Sequence, residues 1–220
     1  MKPKALLILL SILTSSVIYG DNSASWQALF NGENLDGWTR RGGTAEYHID
    51  GDTIVGATTE GSANTFLCTD QIFGNFELIL EVKVDDALNS GIQIRSREND
   101  QGRVNGPQVE IEASPGQAAY IYGEAMGTGW LSPEPKAPGG ELINHHHAFK
   151  NNEWNTYRIL AEGSTITTFL NDILVTKLDL PEAFASHPVG FIGLQVHSIH
   201  KGSGPYQVRW KNIQIRPLAE

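Results

Sequence analysis

Gly106-Pro107-Gln108-Val109-Glu110-Ile111-Glu112 is the stretch on which both fold and function turn. As a strand over residues 107–113 it alternates. Val109 and Ile111 point one way; Gln108, Glu110 and Glu112 point the other. Period two with one apolar side marks a sheet strand backed by a core. Two acids and an amide then stand in one row, which either meets bulk water or floors a cleft.

The same period recurs along the chain, and no segment after residue 20 sustains a period of 3.6. Phe76 to Val84 is the longest run, with Leu78, Leu80, Val82 and Val84 on one face and Glu77, Ile79, Glu81 and Lys83 on the other. Tyr47 to Gly56 reads as a hairpin with Asp50-Gly51 at its tip. Thr65–Thr69, Ile92–Ser96, Ala118–Gly123, Trp154–Ala161, Thr165–Leu170, Ile173–Val175, Gly190–His197 and Val208–Ile215 read as further strands. Pro181 to Phe184 reads as one helical turn. With 23 Gly and 10 Pro, the 220 residues suit many short strands joined by tight turns. About twelve strands predict an all-β, two-sheet antiparallel jelly-roll sandwich. In the absence of a repeat or a long polar linker, residues 21–220 are expected to form one domain.

The first twenty residues are set apart. Met1-Lys2-Pro3-Lys4 is basic, Ala5 to Leu13 is apolar except for Ser11, and small and hydroxyl residues follow. This is the build of a bacterial secretory signal peptide, with cleavage after Ser16 or Gly20. The apolar run is short for a bilayer span, so a secreted or periplasmic protein without a stable membrane span is expected. No Cys stands at the boundary to carry a lipid. The net charge of −9, more acidic once Lys2 and Lys4 are removed, argues against nucleic acid or an anionic membrane as partner. A hydrophobic content of 40% suffices for a core. Cys68 is the only cysteine, so no internal disulfide forms. Between Phe66-Leu67 and Thr69 it reads as a small core residue.

Three strands share one pattern. Gln93 and Arg95 alternate with Ile92 and Ile94, Gln108, Glu110 and Glu112 with Val109 and Ile111, and Gln195 and His197 with Leu194 and Val196. As neighbours they would present amides, carboxylates, a guanidinium and an imidazole on one face. Amides and carboxylates each hold pairs of sugar hydroxyls, and Arg holds acceptors in a fork. Tyr120, Tyr122 and Trp130 would add a stacking wall. Trp130 lies in a loop, Glu124 to Glu141, long enough to suggest a functional role. The bland alternative is a solvated sheet face, but such faces favour Lys, Thr and Glu over Gln, Arg and His. Two carboxylates at i and i+2 lie about 6.5–7 Å apart at Cα, near the separations glycosidases use. Crowding also raises one of two such acids, as a general acid requires. His145-His146-His147 is a weaker metal candidate, because consecutive strand residues alternate faces.

Leu29-Phe30-Asn31-Gly32 with Leu35-Asp36-Gly37-Trp38, Asn89-Ser90-Gly91-Ile92 with Arg95, Gly106 to Ile111, and Gly193 to His197 resemble, in order, the DUF1080 or 3-keto-disaccharide hydrolase family. Tyr122 to Pro133 resembles a subgroup of its secreted members. The resemblance implies a jelly-roll of the concanavalin A-like lectin and glucanase type. It also implies action on glycosides whose 3-hydroxyl has been oxidised to a ketone. Members often carry Glu where this chain has Gln108 and Gln where it has Glu110, which leaves the position of the key acid open. The Glu-x-Asp-x-x-Glu signature of concanavalin-like glucanases is absent.

The keto-sugar chemistry follows from acidity. A ketone at C3 acidifies the hydrogen on C2. A base removes it, the enolate expels the group at C1, and water can add back. The expected cast is His197 or Glu110 as base, Arg95 at the oxyanion and Glu112 as acid, with Gln93, Gln108, Gln195, Tyr120, Tyr122 and Trp130 holding the sugar. A divalent metal on His197 and a carboxylate is the alternative to Arg95. The competing class is a carbohydrate-binding module or lectin, in which the polar residues spread along an open groove instead of meeting at one ligand atom.

Overall fold

The computed structural model describes residues 25–219, so the signal-peptide expectation for residues 1–20 lies outside the described residues. In chain order the strands are β1 (Gln27–Ala28), β2 (Trp38–Gly42), β3 (Glu46–Asp50), β4 (Thr53–Ala57) and β5 (Thr65–Thr69). Next come β6 (Phe76–Val84), β7 (Ser90–Glu98), β8 (Val104–Ile111), β9 (Ile121–Glu124) and β10 (Gly129–Trp130). Then follow β11 (Asn155–Glu162), β12 (Thr165–Leu170), β13 (Ile173–Asp179), the short helix α1 (Pro181–Ser186), β14 (Phe191–Val196) and β15 (Gln207–Pro217).

They build two antiparallel sheets. One has the order β13-β12-β11-β6-β15-β4-β3, with β1 added to β15; the other has the order β10-β9-β8-β7-β14-β5-β2. This is the jelly-roll sandwich expected from the sequence, with fifteen strands among the described residues where about twelve were read. Local chemistry explains the agreement. Leu78, Leu80, Val82 and Val84 of β6 are buried as their alternation predicts, and each such burial is worth about 2 kcal/mol. The β3–β4 hairpin pairs Asp50 with Thr53 around Gly51, whose φ of 62° is one a glycine adopts without strain. The sheets close on one core that includes Ile92, Val109, Ile111, Leu194 and Val196 from the seven-stranded sheet and Tyr157 and Trp210 from the other. Glu77 departs from its polar-face reading. It is buried under Arg158 and Arg216, which hold its carboxyl below the ordinary range although burial alone would raise it.

Candidate active site on the seven-stranded sheet

The three polar strands are neighbours: β14, β7 and β8 lie side by side, followed by β9. Gln93 pairs with Gly193 on one side and with Gln108 on the other, and Gln108 pairs with Tyr122. With Ile92, Val109, Leu194 and Val196 in the core, the alternate residues face outward. A cavity of about 730 Å³ opens over them. Gln108, Glu110, Gln195 and His197 line it, as expected, with Tyr122 and Trp130 as a wall. Those two rings meet edge to face at 5.4 Å because β10 folds back on β9 and pairs Trp130 with Tyr122.

A file of hydrogen bonds ends on Glu110. Ser96 Oγ donates to Gln93 Oε1 (2.6 Å), Gln93 Nε2 to Gln108 Oε1 (2.7 Å), and Gln108 Nε2 to Glu110 Oε1 (2.6 Å). Asn89 Nδ2 donates to Glu110 Oε2 at 3.1 Å. The file needs Gly91, where a Cβ would stand 2.4 Å from Gln108 Cδ. Burial pushes the Glu110 carboxyl up to about 7; the Gln108 and Asn89 bonds oppose this, and Glu112 and Glu124 add to it. A carboxyl held near 7 can give up or take a proton at neutral pH, which is what an acid-base group requires.

His197 stands on the same cavity. Its Nδ1 lies 2.7 Å from the Ser198 carbonyl, which can only accept, so in the neutral ring Nδ1 carries the hydrogen and Nε2 the lone pair. Gln195 is fully buried at the floor, and neither its Oε1 nor its Nε2 has a partner among the described residues. A buried amide with both ends unpaired is a ready ligand contact.

Four expected site residues sit elsewhere. Gln93 lies beneath the floor as a link in the file rather than as a lining residue. Tyr120 precedes β9 and packs edge to face on His146 at 5.5 Å. Glu112 lies past the end of β8, and its Oε2 accepts from the Gln117 N–H (2.9 Å) in the turn that follows. It lines a smaller neighbouring cavity.

Arg95 is the largest correction. Between Gln93 and Arg97 strand β7 carries a bulge opposite Gly106-Pro107, where Pro107 has no N–H for the ladder. The extra residue reverses the facing of the strand. Arg95, at φ 48°, is 1% exposed and donates to the carbonyls of Gly74 (2.7 Å) and Gly163 (2.6 Å) and to Asn75 Oδ1 (3.1 Å). Burial lowers its guanidinium to about 10. Arg95 ties the two sheets together and does not line the cavity. Arg95→Ala is expected to cost roughly 3 kcal/mol, or about 6–12 °C in Tm by calorimetry, with turnover per folded molecule unchanged. A catalytic collapse without a change in Tm would contradict this placement.

The cation at the cavity is Arg103, on the β7–β8 loop, which makes no ion pair with another described residue. Asn64, Asn89 and Glu124 also line the cavity. Sequence reading missed these residues as site members because each stands in a turn or at a strand end, where polar residues are ordinary. Among the described residues no three His, Cys, Asp or Glu side chains converge to hold a metal ion. In the triple-His segment, His146 Nε2 is 2.7 Å from the Ala118 carbonyl, while His145 and His147 pack ring against ring. Cys68 is buried, which pushes its thiol up to about 12.

Fold and site together define a carbohydrate-active jelly-roll protein of the glycosyl hydrolase type. A family model described as 3-keto-alpha-glucoside-1,2-lyase-like domain matches residues 25–216, and the chain belongs to that family. Among solved structures it is similar to a provisionally assigned glycosyl hydrolase from Parabacteroides distasonis, at 25% identity and TM-score 0.58, covering 88% of this chain and 100% of the other. The β-glucanase of Bacillus licheniformis has the same fold at 12% identity and TM-score 0.59, over 91% and 100% of the two chains. So does carbohydrate binding module CBM66 from Bacillus subtilis, at 17% identity and TM-score 0.56, over 82% and 96%. No curated protein matches the sequence significantly.

Proposed function

We propose that this protein cleaves 3-keto-glycosides by 1,2-elimination, with His197 as base and Glu110 as acid. The observation that carries the reading is the pairing of two complementary groups on one cavity: the free Nε2 of His197 and the buried carboxyl of Glu110, raised to about 7. A binding module has no use for an acid tuned in this way.

Nε2 takes the proton from C2. The C–H electron pair becomes an enolate, whose charge on the C3 oxygen is met by Arg103. The enolate re-forms the C3 carbonyl as the C1–C2 double bond forms and the C1–O bond breaks. The leaving oxygen keeps that electron pair and takes the proton of Glu110. Solvent returns the proton from His197 to Glu110. The products are an unsaturated 3-keto sugar and an alcohol. Water added across C1–C2 completes a net hydrolysis.

The signal-like residues 1–20 support a secreted or periplasmic setting. Among the described residues no helix is long and apolar enough to cross a membrane. The test is incubation with a panel of 3-keto-glucosides, with and without chelator, following enone absorbance and released alcohol. Release of alcohol from the 3-keto but not from the 3-hydroxyl substrates is expected. Tight binding of the panel without release would leave the lectin reading in its place.

A further inference from the structure

Ser96 and Gln93 are three residues apart, and in a regular strand they would face opposite sides. The bulge between Gln93 and Arg97 puts them on one side, so that Ser96 Oγ meets Gln93 Oε1 at 2.6 Å. Gly106, at φ 146°, makes room for the hydroxyl: a Cβ there would stand 2.3 Å from Ser96 Oγ. Ser96, Gln93 and Gln108 are all buried, so a hydrogen bond missing from this file is not made good by solvent.

A charged Glu110 dictates the polarity of the whole file. A carboxylate only accepts, so Gln108 must present Nε2. Gln108 Oε1 then takes a hydrogen from Gln93 Nε2, and Gln93 Oε1 takes the hydroxyl hydrogen of Ser96. A protonated Glu110 permits the reverse. Its O–H would donate to a turned Gln108 amide, each amide would pass an N–H one step back, and Ser96 would donate to the Ile94 carbonyl, 3.1 Å away. The reversed file is fully bonded as well, but its proton sits on Oε1 and is committed to Gln108. Proton donation to a departing oxygen needs the proton on Oε2, which lies outside the file beside Asn89 Nδ2.

We propose that Ser96 is a positioning residue for the acid: it holds the file in its observed polarity, so that a proton on Glu110 resides on Oε2, free to be given up, and not on Oε1. The Ser96 hydroxyl has one hydrogen and two acceptors in reach. Gln93 Oε1, at 2.6 Å, is nearer than the Ile94 carbonyl, at 3.1 Å. The role of Glu110 in this proposal rests on the elimination reading above; the polarity of the file rests on the hydrogen bonds alone.

The charged and titratable groups around Glu110 are Glu112, Glu124, Glu134, Lys136, Arg103 and His197 at the two cavities, and Tyr157, whose hydroxyl lies 3.2 Å from the Glu110 carbonyl oxygen. Variants at Ser96 and Gln93 leave all of them in place. A file polarised toward a carboxylate favours its charged form, so cutting the file raises the carboxyl further. Ser96→Ala is expected to move the Glu110 titration up by about half a unit and Gln93→Leu by about one unit. Both are read from the carboxyl ¹³C shift of the resonance that Glu110→Gln removes. The double variant is expected to match Gln93→Leu, since Ser96 acts only through Gln93.

Kinetics read the oxygen that carries the proton. In Ser96→Ala the alkaline limb on a 3-keto disaccharide is expected to move up with the titration. Below that limb, kcat on the disaccharide is expected to fall about three- to tenfold relative to 4-nitrophenyl 3-keto-glucoside, whose leaving group departs without an acid. An unmoved titration in both single variants would overturn the proposal, as would a Ser96→Ala shift that recurs in full on top of Gln93→Leu. A moved titration with an unchanged ratio of the two substrates would overturn it too. The titration needs no substrate, which separates this idea from the reaction. The expected shifts without turnover of any 3-keto substrate would sink the elimination reading and uphold the file; turnover with a titration that neither variant moves would do the reverse.

Discussion

Glu110→Gln is expected to lower kcat/KM on a 3-keto disaccharide by about 10³, yet by less than about tenfold on 4-nitrophenyl 3-keto-glucoside. The size is that of a lost general acid, and the contrast follows from the leaving group. A sugar alkoxide cannot depart without a proton, whereas nitrophenolate can. Gln keeps the shape, so the Gln108 bond at Oε1 has a counterpart and the cavity keeps its walls. The pH dependence supplies a second check. As an acid Glu110 must be protonated, so kcat/KM for the disaccharide falls as pH rises through about 7, and this limb vanishes in the variant.

Stability carries the same signature. The folded carboxyl binds its proton more tightly than an unfolded one near 4.5, so the folded state holds more protons between those values. Stability is then highest below about 4.5 as far as this group is concerned. It is lost as pH rises through about 7, by roughly 3 kcal/mol in all. Glu110→Gln removes this loss, and thermal melts at pH 5 and pH 8 read it directly. Equal kinetic losses on both leaving groups, with the alkaline limb intact, would take the acid role from Glu110.

His197→Ala is expected to reduce kcat/KM about 10³-fold or more on both substrates alike. Abstraction of the C2 proton precedes departure of either leaving group, so leaving-group quality cannot rescue it. Deuterium exchange isolates the step. In deuterated water the wild type and Glu110→Gln are expected to exchange the C2 hydrogen of the 3-keto sugar, and His197→Ala to lose that exchange. Partial recovery with added imidazole would locate the defect in the missing ring. Exchange that persists at the wild-type rate in His197→Ala would transfer the base role to another group on the cavity. The raised carboxyl of Glu110 would then be the first to examine.

Gln108 and Glu110 bear on how this chain departs from its family resemblance. Acid and amide stand in the reverse order from the one often found at these positions. The two side chains are bonded to each other at 2.6 Å and line the same cavity, so the exchange moves the acid by one hydrogen bond and leaves it at the site. The order in this chain puts the acid at the end of the Ser96–Gln93–Gln108 file and beside the smaller neighbouring cavity.

The strand faces were legible residue by residue. Val109 and Ile111, Ile92, and Leu194 and Val196 face the core as their spacing predicts, because the period of two is set by the backbone alone. Gln108, Glu110, Gln195 and His197 could therefore be placed on one side of their strands before any tertiary contact was known. Two signals of misplacement were also present in the chain. Pro107 cannot donate to a ladder and marks the bulge that turns Arg95 inward. Pro115, soon after Glu112, cannot extend a strand and stands in the turn that takes Glu112 out of the row. Arg103 carried no such mark, since a loop arginine reads as a solvated charge wherever the loop goes.

By itself the sequence determined an all-β chain, the inward and outward faces of its strands, and a polar set suited to sugars. Only the tertiary structure decided that β14, β7 and β8 adjoin, that Arg103 rather than Arg95 meets the cavity, and that Glu110 titrates near neutrality. The reason is range. Alternation is a property of neighbours in the chain, whereas Asn89 reaches the Glu110 carboxyl only through the pairing of β7 with β8, and the burial that raises that carboxyl exists only in the folded protein.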